Sequence, residues 1–164
     1  MSRVDAVNAG VGSSSGELRF TADLDTDNHV VLDTYQGRVE KVPVIALDEK
    51  VGDRNVASVK IDVEGFEAEV IRGARQLLGT RPPATLIVEA NDASHRYSSD
   101  QDGFVELMRS FGYTPFDYDP KRRQLVAIPS VSKASNNTIF CRDPGPITQV
   151  VAAAPTRTIL GRDV

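Results

Sequence analysis

The stretch VKIDVEGFEAEVIRGARQLLG, residues 59–79, constrains this chain more than any other. Apolar and charged residues alternate up to Glu64, a glycine follows, and the spacing then changes to that of a helix. Side chains alternate across a strand, so Val59, Ile61 and Val63 share one face while Lys60, Asp62 and Glu64 share the other. Three desolvated charges in the middle of a doubly covered sheet would be costly. At the carboxyl end of a parallel strand that cost disappears, because the face opens on the crevice where α/β sheets bind ligands. Glu64 and Gly65 also precede the helix, whose dipole favours negative charge. The same residues admit a plainer arrangement, in which Glu64 complements the helix end, Asp62 pairs with Lys60 and nothing is bound.

The remaining pattern fits an α/β chain. Phe66, Val70, Ala74, Leu77 and Leu78 predict one helix over Phe66–Leu78, stopped by Gly79 and Pro82-Pro83. Ala84–Ala90 reads as a strand covered on both faces. Phe104, Leu107, Met108 and Phe111 predict a second amphipathic helix, with Ser99 and Asp102 as its cap and Gly112 as its end. Strands are expected at Tyr113–Tyr118, Leu125–Ile128 and Thr138–Arg142. Upstream, Val4–Val11 and Glu17–Thr21 suggest a hairpin closed by the SSSG turn. Residues 23–38 read as a polar loop, with His29 facing solvent. Val39–Leu47 is strand-like but pushed toward an edge by Pro43, and Asp48 is a helix N-cap candidate. Strand–helix–strand–helix–strand with short links predicts a mostly parallel sheet with antiparallel strands at the far edge. Residues 1–142 form the expected domain; 143–164, rich in proline and glycine, form a loosely ordered tail.

Length and composition are those of one globular domain: 164 residues, 40% hydrophobic and 26% charged. The net charge is −4, and Lys121, Arg122 and Arg123 read as a solvated turn, so nothing resembles a nucleic-acid footprint. No apolar run approaches the roughly 18 residues of a membrane span, the first residues lack a signal pattern, and Cys141 is the lone cysteine. A cytoplasmic protein without membrane or nucleic-acid partners is the expectation.

Glu89 ends its own strand and is followed by Asn91 and Asp92. If the two strands are neighbours, Asp62, Glu64 and Glu89 converge on one crevice suited to a cation, a sugar or a hydroxyl that must lose its proton. His95 lies in the following loop, within reach of that crevice. No spacing supports zinc. Two other functions stay open: a divalent-metal phosphoryl hydrolase using the three carboxylates as ligands, and a non-catalytic binding or assembly module whose open sheet edge recruits a partner.

VKIDVEGFEAEVIRGARQLL followed by LIVEA resembles the C-terminal part of the FkbM family of methyltransferases. VNAGVGSSSGELRF, VPVIALDE, SFGYTPFDYD and NTIF agree with it, so the likeness covers about residues 5–142. The resemblance implies a class I, Rossmann-like methyltransferase fold that uses S-adenosylmethionine to methylate a hydroxyl of a sugar or secondary metabolite. It implies Asp62, Glu64 and Lys60 as catalytic residues, with Asp62, Glu64 and Asn8 beside the cofactor. The acceptor it implies is a small molecule or glycan, and Glu89, Asn91 and His95, from their place at and after the next strand end, are the residues expected beside it. The family's glycine-rich cofactor turn is not matched: Gly10, Gly12 and Gly16 run into the strand-like ELRFT, whereas such a loop needs a helix after it. The chain is therefore expected to resemble the domain without its first two strand–helix units, on the order of 60 residues. That would leave the KIDVEG strand as an exposed edge, and the expectation is that the chain either forms a homodimer across it or binds the cofactor negligibly.

Overall fold

The computed structural model describes residues 4–24, 28–31, 35–89, 101–155, 158–159 and 162–163. Two sheets form its frame. The smaller contains β1 (Gly10–Gly12), β2 (Gly16–Thr21) and β3 (Val39–Ala46) in the order β1-β3-β2. The expected hairpin is not formed. The 13–15 turn carries the chain past β3, so β3 lies between the other two, parallel to β1 and antiparallel to β2. Ser15 anchors this turn by accepting a hydrogen bond from the Ala46 amide at 3.1 Å. Pro43 therefore sits in the middle strand rather than an edge. The register explains its tolerance: β1 begins only beside Val44, so Pro43 has a strand neighbour on one side alone.

The larger sheet has the order β4-β5-β8-β6-β7, formed by Ser58–Ile61, Thr85–Glu89, Asn137–Cys141, Thr114–Asp119 and Gln124–Ala127 respectively. β4 and β5 are parallel; the other three pairs are antiparallel. A mostly parallel sheet is thus not what forms. Only the strand–helix–strand unit between β4 and β5 forces a parallel pair, while the short β6–β7 turn and the return of β8 beside β5 impose the opposite sense. In the β6–β7 turn the Asp119 carboxylate accepts from the amides of Lys121 and Arg122, at 2.9 and 3.0 Å. The basic triplet is therefore a turn, as its composition suggested.

The segment between β4 and β5 is two helices, α2 (Glu67–Arg72) and α3 (Arg75–Thr80), instead of one. Asp48, in the short helix α1 (Leu47–Val51), is inserted into the helical hydrogen-bond ladder. Its amide donates to the Gly73 carbonyl at 2.9 Å, and its carboxylate accepts from Gln76 and Leu77, both at 2.8 Å. Leu77 would otherwise have bonded back to Gly73, so the ladder is cut there. Asp48 is a cap, but of α3 and not of its own helix.

One face of the larger sheet packs on α2, α3 and α4 (Gln101–Ser110). Ile61, Leu86, Val88 and Phe140 from the strands meet Val70, Ile71, Leu78, Phe104, Val105 and Met108 from the helices, all buried. Phe104 and Phe140 meet edge to face at 5.8 Å, a favoured aromatic geometry. Val105 joins this core although it lay outside the expected stripe, while Leu107 and Phe111 are only partly buried. The other face is different. Register puts Lys60, Ile87 and Ile139 in one row, and Ile87 is 37% exposed. β5 is therefore not covered on both faces among the described residues. Downstream, α5 (Pro144–Ala153) forms within the segment whose composition suggested loose order. Asp143 caps it by accepting from the Gly145 amide, and Pro144 occupies a first-turn position that needs no amide. None of its residues is buried. Two short strands, β9 (Thr158–Ile159) and β10 (Arg162–Asp163), pair antiparallel after it.

Candidate active site

β4 ends at Ile61, and its carboxyl end delivers Asp62, Val63 and Glu64 to a cavity of about 290 Å³. Alternation holds through Val63, which packs partly against the core. It then stops, because Glu64 and Gly65 take left-handed backbone conformations with φ of 50° and 101°. Such a pair is normal for glycine and uncommon for glutamate. Glu64 is thus aimed by a turn and not by the strand pleat. The opposite wall comes from the smaller sheet: Gly10 and Val11 on β1, Phe20 on β2, and Asn28 and Val30 just beyond. Phe66, ahead of α2, completes it.

Lys60 stands beside this cavity, held by carboxylates on both sides. Its Nζ lies 3.2 Å from Asp62 and 3.6 Å from Glu89. β4 and β5 are parallel neighbours, which brings Glu89 to the same end of the sheet as Asp62. The expected convergence of three carboxylates is met by two: Asp62 and Glu64 line the cavity, whereas Glu89 is not among its lining residues and is tied to Asp62 only through Lys60. Lys60 and Asp62 are about half exposed, so the pair is worth under ~1 kcal/mol and serves to orient the carboxylate. Among the described residues no group of three or more His, Cys, Asp or Glu could hold a metal ion. Asp62, Glu64 and Glu89 therefore do not make the ligand set that a metal-dependent hydrolase would need.

A family model for the methyltransferase FkbM domain matches residues 5–115. The chain belongs to the FkbM methyltransferase family. The match spans roughly two thirds of the chain and runs from before β1 to the start of β6. It takes in both walls of the cavity. No curated protein and no solved structure matches the chain.

Within the FkbM domain, the sequence-derived site residues fall into three groups. Asp62 and Glu64 line the cavity, while Lys60 and Glu89 are not among its lining residues and connect to it through the Lys60–Asp62 ion pair. Asn8 is exposed, two residues ahead of β1. Asn91 and His95 lie outside the described residues. Several lining residues were missed. Gly10 and Val11 belong to a glycine segment discounted for lack of a following helix, yet they form a wall as a strand. Asn28 and Val30 sit in the polar 23–38 stretch. Val30 is brought in by a single β-bridge to Phe20, and Thr21 bonds to Asn28 and to His29. His29 is accordingly half-buried and not fully solvent-facing. Glu67 was also missed: it is only 3% exposed, and burial raises the pKa of its carboxyl. Among the described residues no helix is long and apolar enough to cross a membrane.

Proposed function

We propose that this FkbM domain transfers a methyl group from S-adenosylmethionine to a hydroxyl of a sugar or secondary metabolite, on a class I, Rossmann-like arrangement around β4 and β5. The observation that carries the reading is the pair of carboxylates, Asp62 and Glu64, on one cavity at the carboxyl end of a parallel strand.

The cavity's residues fit part of that cofactor. Two carboxylates complement a cationic sulfonium and an ammonium group, while Val11, Val30, Val63, Phe20 and Phe66 offer an apolar surround. At about 290 Å³ the space lies at the lower bound of small-molecule sites, roughly 300 Å³. It suits the charged, amino-acid end of the cofactor. For the nucleoside end, Gly10, Gly12 and Gly16 lead into β2, so they offer no helix N-terminus.

Bound S-adenosylmethionine supplies an electrophilic methyl group on a positive sulfur, leaving the neutral thioether once the acceptor oxygen has taken it. Asp62, oriented by Lys60, would complement that positive charge. Glu64 accepts the proton that the acceptor hydroxyl gives up as its oxygen forms the new bond to carbon. Glu89, with Asn91 and His95 in the segment after it, is assigned to the acceptor. Fixing donor and acceptor in line supplies much of the acceleration in such a displacement.

The test pairs Asp62→Asn and Glu64→Gln with calorimetric binding of S-adenosylmethionine and methyl transfer to a panel of hydroxyl acceptors. Both variants are expected to keep the wild-type melting temperature. Asp62→Asn should weaken cofactor binding, and Glu64→Gln should lower turnover by the 10²–10⁴-fold typical of a lost general base. Full activity in both would remove them from the mechanism.

A further inference from the structure

Glu67 opens α2, where an acidic residue ordinarily sits in solvent and complements the helix dipole. Here it is buried, at 3% exposure. Dipole compensation does not require burial, and burying a carboxylate is costly without a partner. The partner is specific: Glu67 Oε1 accepts a hydrogen bond from the Gly65 amide at 2.9 Å, in a buried setting. Gly65, also buried, is the second residue of the left-handed pair whose first member, Glu64, reaches the cavity. A non-glycine residue in that conformation persists only where its surroundings fix it. The Glu67 carboxylate supplies such a fixing contact from two residues downstream, within the same turn.

We propose that Glu67 is a positioning residue: by clamping the Gly65 amide it locks the Glu64–Gly65 turn and so aims the Glu64 carboxylate into the cavity. The significance for catalysis rests on the methyltransferase reading above, whereas the clamp itself does not. Burial raises the carboxyl's pKa, the hydrogen bonds from the Gly65 amide and from its own amide pull it back down, and the neighbouring negative charges of Glu64 and Asp62 add to the rise. The group is therefore held in place against an electrostatic cost that a solvent-facing acid would avoid.

The experiment compares Glu67→Gln, which keeps an acceptor oxygen of the same reach, with Glu67→Ala, which has none. The first readout needs no ligand: the Gly65 amide proton resonance and its hydrogen-exchange rate. In wild type and Glu67→Gln the resonance is expected downfield and protected. In Glu67→Ala, exchange at Gly65 should rise at least tenfold relative to amides in β5, with the shift moving toward that of an open turn. Unchanged Gly65 exchange in Glu67→Ala would overturn the proposal. Should Glu67→Ala fail to fold, loss of protection in the folded Glu67→Gln variant, to a coil-like rate, would overturn it as well. The second readout is methyl transfer. Glu67→Ala is expected to lower kcat at least tenfold with KM little changed, and Glu67→Gln to recover most of it. A clamp confirmed at Gly65 in a protein that binds no S-adenosylmethionine would sink the methyltransferase reading and leave the clamp standing.

Discussion

Gly73→Ala is the substitution whose outcome the packing determines most sharply. Gly73 has φ of −80° and ψ of 0°, a conformation any residue adopts. On backbone grounds alone, alanine would stabilise by about 0.4–1 kcal/mol through the unfolded state. The space decides otherwise. A Cβ at Gly73 would run into the Gly12 carbonyl oxygen, with the Gly12 carbonyl carbon at 3.0 Å and Ser13 Cα at 3.3 Å. All three are backbone atoms, so no side chain can swing aside. Relief requires β1 to move away from α2, or the Gly73 carbonyl to leave Asp48. Overpacking of this kind costs about 1–3 kcal/mol, which outweighs the entropic gain. With the entropic gain subtracted, the net loss is about 1.3 kcal/mol, and a domain of this size should melt about 3–5 °C lower. Gly79→Ala is the matched control. It lies inside α3, and its added Cβ would meet nothing within 4 Å; it should gain about 0.5–1 kcal/mol and melt slightly higher. Thermal unfolding followed by circular dichroism, with denaturant midpoints beside it, reads both. A neutral or stabilising Gly73→Ala would refute the close approach of β1 and α2 and, with it, the cavity wall that β1 builds.

Asp48→Ala removes two amide contacts at the start of α3 and should cost about 1–2 kcal/mol in denaturant unfolding, the range of a lost helix cap; an unchanged midpoint would count against the inserted ladder. Alkaline pH should destabilise the fold. Burial pushes the Cys141 thiol up from 9.0 to about 11 and the Tyr113 hydroxyl from 10.0 to about 12. Both groups hold their protons more tightly when folded, so their contribution is complete below about pH 9 and falls away between pH 9 and 12. A melting temperature flat from pH 8 to 11.5 would contradict the burial of both. Finally, β4 pairs only with β5 among the described residues, and we propose self-association through its other edge. Antiparallel pairing about Ile61 would set Lys60 of each copy opposite Asp62 of the other. Light scattering should show a concentration-dependent dimer, and a monomer throughout would exclude it.

The β4–α2 unit and its charged end were legible because one strand period, one glycine and one helical period follow in direct succession. The parallel β4–β5 pair followed from the helical linker, and with it the arrival of Glu89 at the same end of the sheet as Asp62; the Lys60–Glu89 ion pair did not. What escaped was set by distant contacts. Nothing near Gly73 announces that α2 and α3 separate, since the cause is Asp48, 25 positions earlier in sequence. The sense of the larger sheet depends on where β8 inserts, which no local pattern encodes. Gly10, Val11 and Asn28 carry no charged side chain, so only the folded walls identify them. Glu67 resembled an ordinary first-turn acid, and its burial depends on packing around the turn.

The strand order β4-β5-β8-β6-β7 has a consequence for the chain during synthesis. β8 is the last of these five strands to be made, yet it occupies the centre of the layer between β5 and β6. Until Cys141 has left the ribosome, Leu86 and Val88 have no antiparallel neighbour and the β6–β7 ribbon has nothing to dock on. Assembly must wait for the most distant pairing, the kind that slows folding most. A shortened gene ending at the family boundary near residue 115 would keep the β4–β5 pair alone of this layer, cutting β6 after its first residues and losing β7 and the central β8. The working limit for expressing this domain is therefore set beyond residue 141.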